Sequence, residues 1–423
     1  MLVTIIESVD EAIIFKNQLS DENFVIFPLF ESDVHPFCTS PVLLLARNIN
    51  SEDTFVLPHS HSECLPFFDN FDILNTAKCF ILDKKYLNSP ESSDLDAMMY
   101  SSNKNIVLNI HTKPLSWSTH PLYMIIDYLD RDLSQMAELC RNFVKNESFV
   151  FLNTITNPTL AELERNGLKV DREVFMKYFD REDLLCKNDF VFTQYNYLTS
   201  TGRPSNRFGG INFSALNKTD GSRESFISRF DGGELYLLDY ESYHPRLISK
   251  LIDVELPAGS IHEYFGRLYF NKLDLTPDEY EESKKITFRL IYGNITDEYK
   301  SIEYFKKIDD MIESMWEQYQ NLGYVRSVIS GLKLHASSKT KLFNYLIQNY
   351  ETEMNMIILQ KILNVSKTML SKPILYTYDA ILLDVHPDES SYVNSVRDVM
   401  ETDGFKVKVY KGKNYNDMGH IVM

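Results

Sequence analysis

Cysteine is scarce in this sequence. The 423-residue chain holds five (Cys38, Cys64, Cys79, Cys140, Cys186), scattered, odd in number and without a CxxC pair. That pattern argues against a cysteine zinc site and points to a reduced, cytosol-like compartment. Long apolar runs are missing too. No stretch approaches the roughly 20 residues needed to span a bilayer. The opening "MLVTIIESVDEAIIF" is interrupted by acids and lacks a basic leader, so it makes a poor signal peptide. No membrane partner is expected, and the expected location is cytoplasmic. Positive charge is in deficit: 43 Lys and Arg against 60 Asp and Glu give a net charge of −17. Such a balance argues against a general nucleic-acid binder, because phosphate neutralisation needs cations. There is no repeat and no low-complexity tract. "HSH" at His59 to His61 is a candidate metal run, read here as a solvated loop.

What is present is a core. Hydrophobic residues make up 44% of the chain and aromatics 13%, enough for packed domains rather than disorder. The length suits two or three of them. Charge is distributed unevenly. Residues 1–150 hold 21 acids and 10 bases, whereas 151–423 hold 39 and 33. The second part is therefore nearly balanced, with local basic clusters in "KKITFR", "SSKTK" and "KVKVYKGK", and a local basic groove can still bind nucleic acid.

Periodicity gives the organisation. To about residue 150, "NFVIFPLF", "PVLLLARNI", "TFVLP" and "CFILD" read as strands, and "DEAIIFKNQL" and "HPLYMIIDYLDRDLSQMAELCRNFV" as helices, an α/β pattern. "TITNPTLAELERNGLKVD" opens a new unit, with a turn at Asn157-Pro158 and a helix ending at Gly167. Later, "ELYLLD" reads as a strand and "HPRLISKLI" as a helix. "TPDEYEESKKITFRLIYG" has Thr276 as N-cap, Pro277 at the first helical position and a glycine stop. Two long amphipathic helices follow. "PILYTYDAILLDVHP" reads as a hairpin, and the chain closes with a helix and a basic strand.

Asp239 ends an apolar strand, and Asp379 sits at the centre of the hairpin. Two such carboxylates can hold two divalent ions about 3.5–4 Å apart. Between them in sequence, Lys284, Phe288 and Tyr292 recur every four residues and share one helix face. A cation, an aromatic ring and a phenol in a row suit a triphosphate, a base and a sugar edge. Taken singly, Asp239 reads as a helix cap, Lys284 as a solvated charge, Phe288 and Tyr292 as core, and Arg203 as a turn residue. The constellation is what changes those readings.

The order of motifs resembles the family A (DNA polymerase I-like) DNA polymerases. "LLDYESYHPRL" is similar to their DYSxIELR segment, "KKITFRLIYG" to RxxxKxxxFxxxYG, and "YTYDAILL" to VHDE. "LAELERNGLKVD", "TGRPS", "GSIHEYFGRLY", "NLGYVRSVISG" and "FNYLIQNYETE" resemble further family segments in the same order. The likeness covers roughly 155–423. It implies an α+β fold: a right-hand palm and fingers (about 255–335), with a thumb reduced to 172–200. An α/β exonuclease-like (RNase H-like) domain over 1–150 precedes this polymerase domain of 151–423.

The resemblance also implies roles. Asp239 and Asp379 hold two Mg²⁺ ions, with Mn²⁺ as a possible substitute, and act with Lys284 in catalysis. His262, Phe288, Tyr292, Tyr240 and His244 form the nucleotide side. Arg203, Asn344 and Gln348 contact primer-template DNA. The partners are primer-template, dNTPs and a processivity factor or other replication proteins.

Departures from the family pattern qualify those roles. Tyr280 stands where an arginine clamps triphosphate, unless Lys285 or Arg289 substitutes. His244 replaces a glutamate that helps exclude ribonucleotides, and Ala380 replaces an acid after Asp379. In "FVIFPLFESDVHP", Pro28 and Phe30 occupy the places of two exonuclease metal ligands, with Glu31 and Asp33 nearby. A degenerate exonuclease-like domain without proofreading is expected, together with weak processivity. The compactness resembles a phage-type replication enzyme of a bacterial or phage-infected cytoplasm. Two alternatives remain open: a ribonucleotide-accepting polymerase or primase of the same fold, and a catalytically inactive DNA-binding subunit.

Overall fold

The structure, a computed structural model, describes residues 2–422 except 22, 32–34, 64–73, 103–105, 113–115 and 207–209. Asp33 and Cys64 fall outside the described residues. The chain divides into two compact units: Met1–Gln194 with Asn217–Ile227, and Tyr195–Leu216 with Ser228–Met423.

The first unit is built on a mixed sheet. Its strands are β1 (Val3–Ile5), β2 (Phe24–Leu29), β3 (Leu43–Asn48), β4 (Thr54–Pro58), β5 (Phe80–Ile81) and β6 (Ser93–Asp94), in the order β1-β4-β3-β2-β5-β6. β2, β3 and β4 form an antiparallel meander, while β5 and β6 run parallel to β2. Every residue of β2 is buried, as its continuous apolar run requires. Pro28 lies beyond the end of the β5 pairing, where the sheet does not need its missing N–H. The helices are α1 (Val9–Gln18), α2 (Leu95–Ser101), α3 (Asn109–Thr112), α4 (Leu122–Arg141), α5 (Glu147–Phe151), α6 (Asn157–Asn166) and α7 (Arg172–Phe179). Ser8 starts α1 with a reciprocal Ser8/Glu11 capping box. A small sheet pairs β7 (Leu168–Val170) with β8 (Phe190–Val191) and β11 (Phe226–Ile227).

Several expectations are corrected here. The turn at Asn157-Pro158 does not form. Helix runs through it, because a π-turn over Leu152–Thr156 shifts the bonding, with the Asn157 N–H donating to the Leu152 C=O. That shift absorbs a proline, which would otherwise leave an α-helical carbonyl unpaired. The first compact unit runs on past residue 150 to Gln194. α6 stays with the first unit, tied by the buried Lys85 Nζ–Glu164 Oε1 pair at 2.5 Å. Cys38 and Cys186 form a disulfide across 148 positions, which corrects the expectation that the cysteines stay reduced. Within "HSH", His61 is buried, its ring against the His120 C=O at 2.9 Å, so it is not a solvated loop residue.

Asp94 gives this unit a pH dependence. It is fully buried and caps α2 by accepting from the Ala97 N–H, and its Oδ2 has no hydrogen-bond partner. Burial, then the neighbouring Asp96, pushes its pKa up to about 8. Between the ordinary carboxylate value and that one, the folded chain keeps a proton the unfolded chain has released, so stability falls as pH rises. The loss is on the order of 1 kcal/mol per pH unit. Asp94→Asn retains the cap and is expected to flatten the difference in melting temperature between about pH 5.5 and about pH 7.5. An unchanged difference removes Asp94 as its source.

The second unit centres on a five-stranded antiparallel sheet of β12 (Glu234–Tyr240), β15 (Lys372–Thr377), β16 (Ala380–Val385), β17 (Val407–Gly412) and β18 (Gly419–Ile421), ordered β15-β16-β12-β17-β18. Two small ladders join β9 (Tyr195–Asn196) to β10 (Ser205–Asn206) and β13 (Val325–Arg326) to β14 (Lys333–Leu334). The helices are α8 (Tyr243–Leu251), α9 (Ile261–Phe270), α10 (Pro277–Tyr292), α11 (Glu303–Leu322), α12 (Lys339–Ser366) and α13 (Ser391–Glu401). α10 starts as its sequence dictates, with Pro277 in the first turn and a Thr276/Glu279 capping box. Residues 172–200 hold α7 and short strands, with no long helix among them. No helix among the described residues is long and apolar enough to cross a membrane.

Candidate functional site

β12 lies at the centre of its sheet. Asp239 is in register with Ala380 of β16 on one side and Lys408 of β17 on the other. Asp379 is one residue before Ala380, in the two-residue turn between β15 and β16. The Tyr240 N–H donates to the Asp379 C=O at 3.1 Å. The two aspartates therefore occupy neighbouring positions at the same end of adjacent strands. Asp239 is not the cap of the helix that follows, because α8 takes Ser242 as its N-cap residue.

The Asp379 turn is strained and pinned. Tyr378 has φ 62°, a left-handed conformation costly for a bulky side chain. Its carbonyl accepts from Asn355 Nδ2 at 2.7 Å, and its ring lies 3.6 Å from the Arg203 guanidinium carbon. Asn355 also accepts from the Tyr243 hydroxyl at 3.0 Å, which links the turn to α8. These contacts fix where the Asp379 carboxylate can point. Asp379 is exposed by surface area yet crowded by protein along one side. That crowding, then the carboxylate of Glu351, raises its pKa above the usual value.

A cavity of about 420 Å³ opens beside the turn. It is lined by Asp379, Arg203, His244, His262, Phe288, Tyr292 and Gln348, together with Tyr240, Ser242, Tyr243, Pro245 and Glu351. Phe288 and Tyr292 present stacked rings 6.0 Å apart, and Phe288 is 42% exposed, which wastes apolar surface unless something covers it. His262 packs against Phe288 at 5.5 Å. Burial, then the charge of Lys284, lowers its pKa to about 4. His262 is thus neutral at pH 7 and offers hydrogen bonding rather than positive charge. Its Nδ1 has no hydrogen-bond partner.

Other expected residues fall differently. Lys284 does not line the cavity. Its ammonium pairs with Glu281 Oε1 at 2.7 Å and lies 4.6 Å from the Tyr280 ring, and the Glu281 bond raises its pKa. Tyr280 thus supports this lysine rather than supplying charge. Lys285 turns to Glu282 at 3.7 Å. Asn344 also stays out of the lining, with its Nδ2 donating to the Tyr292 C=O at 2.9 Å. Tyr240 touches the cavity, but its ring stacks on Tyr243 at 4.1 Å and its hydroxyl donates to the Met400 C=O. It is a core anchor with no hydroxyl left for a nucleotide. His244 meets the Tyr292 hydroxyl through Nδ1.

Two residues escaped the sequence reading. Glu351, 1% exposed, faces both Arg203 and His244. Its only sequence signal is an acid three residues after Gln348 in a helix otherwise rich in apolar side chains. Lys408 stands directly opposite Asp239 and pairs with Glu241 at 3.5 Å. Cross-strand partners share a sheet face, so a basic closing strand was the available clue.

No family model and no curated protein matches this sequence. Solved structures do match its fold. One is the POL domain of Pol1 from M. smegmatis in complex with DNA primer-template and dNTP, with a TM-score of 0.75 and 13% identity. The match covers 98% of this chain and 99% of that one. At such low identity the likeness concerns the fold alone: this chain has the mixed helix-and-sheet fold of a DNA polymerase POL domain.

Proposed function

We propose that the chain is a template-directed DNA polymerase. It adds dNTPs to a primer 3′ end by two-metal-ion nucleotidyl transfer, without proofreading. The observation that carries this reading is the strand register that sets Asp239 and Asp379 at neighbouring positions on adjacent strands, with Asp379, though not Asp239, in the lining of a cavity walled by Arg203, His262, Phe288 and Tyr292. The fold shared with a POL domain solved with primer-template and dNTP supports it.

Two carboxylates without a thiolate partner suit a hard cation such as Mg²⁺, or Mn²⁺ in its place. Among the described residues no group of three or more His, Cys, Asp or Glu is arranged to hold a metal. A pair of carboxylates alone suits ions that take their remaining ligands from water and phosphate oxygens. Asp239 and Asp379 would hold the ions, which when bound would lower the pKa of the primer 3′-hydroxyl and offset charge on the leaving pyrophosphate.

The chain's own residues orient the reactants. The primer 3′ oxygen forms its bond to the α-phosphorus as the bond from that phosphorus to pyrophosphate breaks. Phe288 and Tyr292 stack against the incoming base pair. His262 donates a hydrogen bond to the triphosphate as a neutral ring, and Lys284 meets the same charge by exchanging Glu281 for phosphate. Arg203 and Gln348 face the DNA. The short 172–200 segment serves as a reduced thumb, with a processivity partner making up for the lost grip. In the first unit, Pro28 and Phe30 stand in place of metal-binding acids. Glu31 accepts from the Ser118 N–H at 2.7 Å and so is already engaged. Both features favour an exonuclease-like domain that does not digest DNA.

The contact between His244 and the Tyr292 hydroxyl motivates a second reading, in which ribonucleotides are also accepted. One assay separates the possibilities: single-nucleotide addition to a primed template with Mg²⁺, dNTP and rNTP in competition. Addition of the templated dNMP alone is the expected result. Equal use of rNTP supports the second reading. DNA binding without any addition overturns both and leaves an inactive DNA-binding subunit.

A further inference from the structure

Glu351 lies midway along α12, almost wholly buried, with its carboxylate at the cavity wall. Two nitrogen groups converge on a single oxygen. Arg203 Nη2 lies 2.9 Å from Oε2 and His244 Nε2 lies 3.2 Å from the same atom. Both are within ion-pair reach but off line for a hydrogen bond, which leaves Oε2 and His244 Nε2 buried without a hydrogen-bond partner. Each group also reaches onward. Arg203 continues to the Tyr378 ring, beside Asp379. His244 continues through Nδ1 to the Tyr292 hydroxyl.

A buried carboxylate is costly unless cations or donors face it, and this one is faced by groups that serve two different walls of the site. It also has a chemical effect on the imidazole. A carboxylate only accepts, so its charge 3.2 Å away, even without an in-line hydrogen bond, draws the imidazole proton toward Nε2. Nδ1 is then an acceptor, and the Tyr292 O–H donates to it. That ties the Tyr292 hydroxyl to His244, a second residue of the cavity lining.

We propose that Glu351 is a positioning residue of this site. With one carboxylate oxygen it holds Arg203 against the Asp379 turn, and it holds His244 in the tautomer that fixes Tyr292. The DNA side and the nucleotide side of the cavity are thereby set by the same anion. The names of the two sides rest on the polymerase reading, whereas the Glu351–His244–Tyr292 linkage does not.

The test has two arms, both on the full chain. In the first, ¹⁵N-histidine NMR reads the His244 ring, identified by the signal lost in His244→Gln. The proton is expected on Nε2 in the parent and is expected to redistribute in Glu351→Gln. In the second, KM and kcat for nucleotide addition are measured for Glu351→Gln, His244→Gln and the double variant, with melting temperature alongside. Each single change is expected to raise KM on the order of tenfold, and the double to be no worse than the worse single, because both cut one linkage. Should Glu351→Gln fail to fold, Glu351→Asp withdraws the carboxylate by one methylene and serves the same comparison. Unchanged ring signals overturn the proposal, and so do KM effects that multiply in the double variant. A parent that adds no nucleotide defeats the polymerase reading, and the NMR arm still decides this one.

Discussion

Asp379→Asn is expected to lower single-nucleotide addition on the order of 10³-fold while leaving primer-template binding intact, because the metal-held charge is worth several kcal/mol in the transition state. Asparagine keeps the shape of aspartate but supplies only a neutral oxygen. The turn that carries it is held by other groups, namely Asn355 on the Tyr378 carbonyl and Arg203 on the Tyr378 ring. The bond to the Tyr240 N–H uses the backbone carbonyl of Asp379 and survives the change. Removing the carboxylate also relieves its repulsion with Glu351, so the melting temperature should hold or rise. Asp239→Asn is expected to act alike on addition, although its cross-strand neighbour Lys408 then faces no carboxylate at that position. Addition within about tenfold of the parent by either variant is too small a loss for a metal-holding group.

The second large effect concerns stability of the first unit. Lys85 and Glu164 pair at 2.5 Å, with side chains 5% and 0% exposed. Desolvating both charges makes the pair weak as a net stabiliser, yet removing one partner strands the other, at about 3–5 kcal/mol. For a unit of this size, Glu164→Ala is expected to lower the melting temperature by roughly 6–20 °C. The double change Lys85→Met with Glu164→Leu leaves no stranded charge and should recover most of that loss. Thermal melting followed by circular dichroism checks both. A double variant as unstable as Glu164→Ala shows that the pair's geometry, rather than stranded charge, stabilises the unit.

What could be read from the sequence follows from how local the code is. α10 was legible because its start is written within four residues, Thr276 to Glu279, and the face shared by Lys284, Phe288 and Tyr292 in a four-residue period. The hairpin around Asp379 was legible as two short apolar runs about a two-residue centre. Register was not legible. Nothing near Asp239 says that Ala380 and Lys408 will stand beside it, and motif order alone suggested that the aspartates meet. Burial was not legible either. His262 stands among the nucleotide-side residues with no sign that burial will keep it neutral, and Tyr240 with no sign that Tyr243 and Met400 will engage its ring and hydroxyl. Glu351 was hidden because α12 buries residues on several faces, so no amphipathic stripe marks an inward acid. The break expected at Pro158 was overridden by a π-turn, and Cys38 with Cys186 shows a pairing that spacing cannot announce.

The central claim is that Asp239 and Asp379 together hold divalent metal beside the cavity. Mn²⁺ electron paramagnetic resonance on the chain with primer-template and a non-hydrolysable dNTP tests it most directly. The account predicts two spin-coupled ions at about 3.5–4 Å, with the coupling lost in Asp239→Asn and in Asp379→Asn. A signal no different from that of Mn²⁺ with the nucleotide alone, or coupling that survives both substitutions, contradicts it.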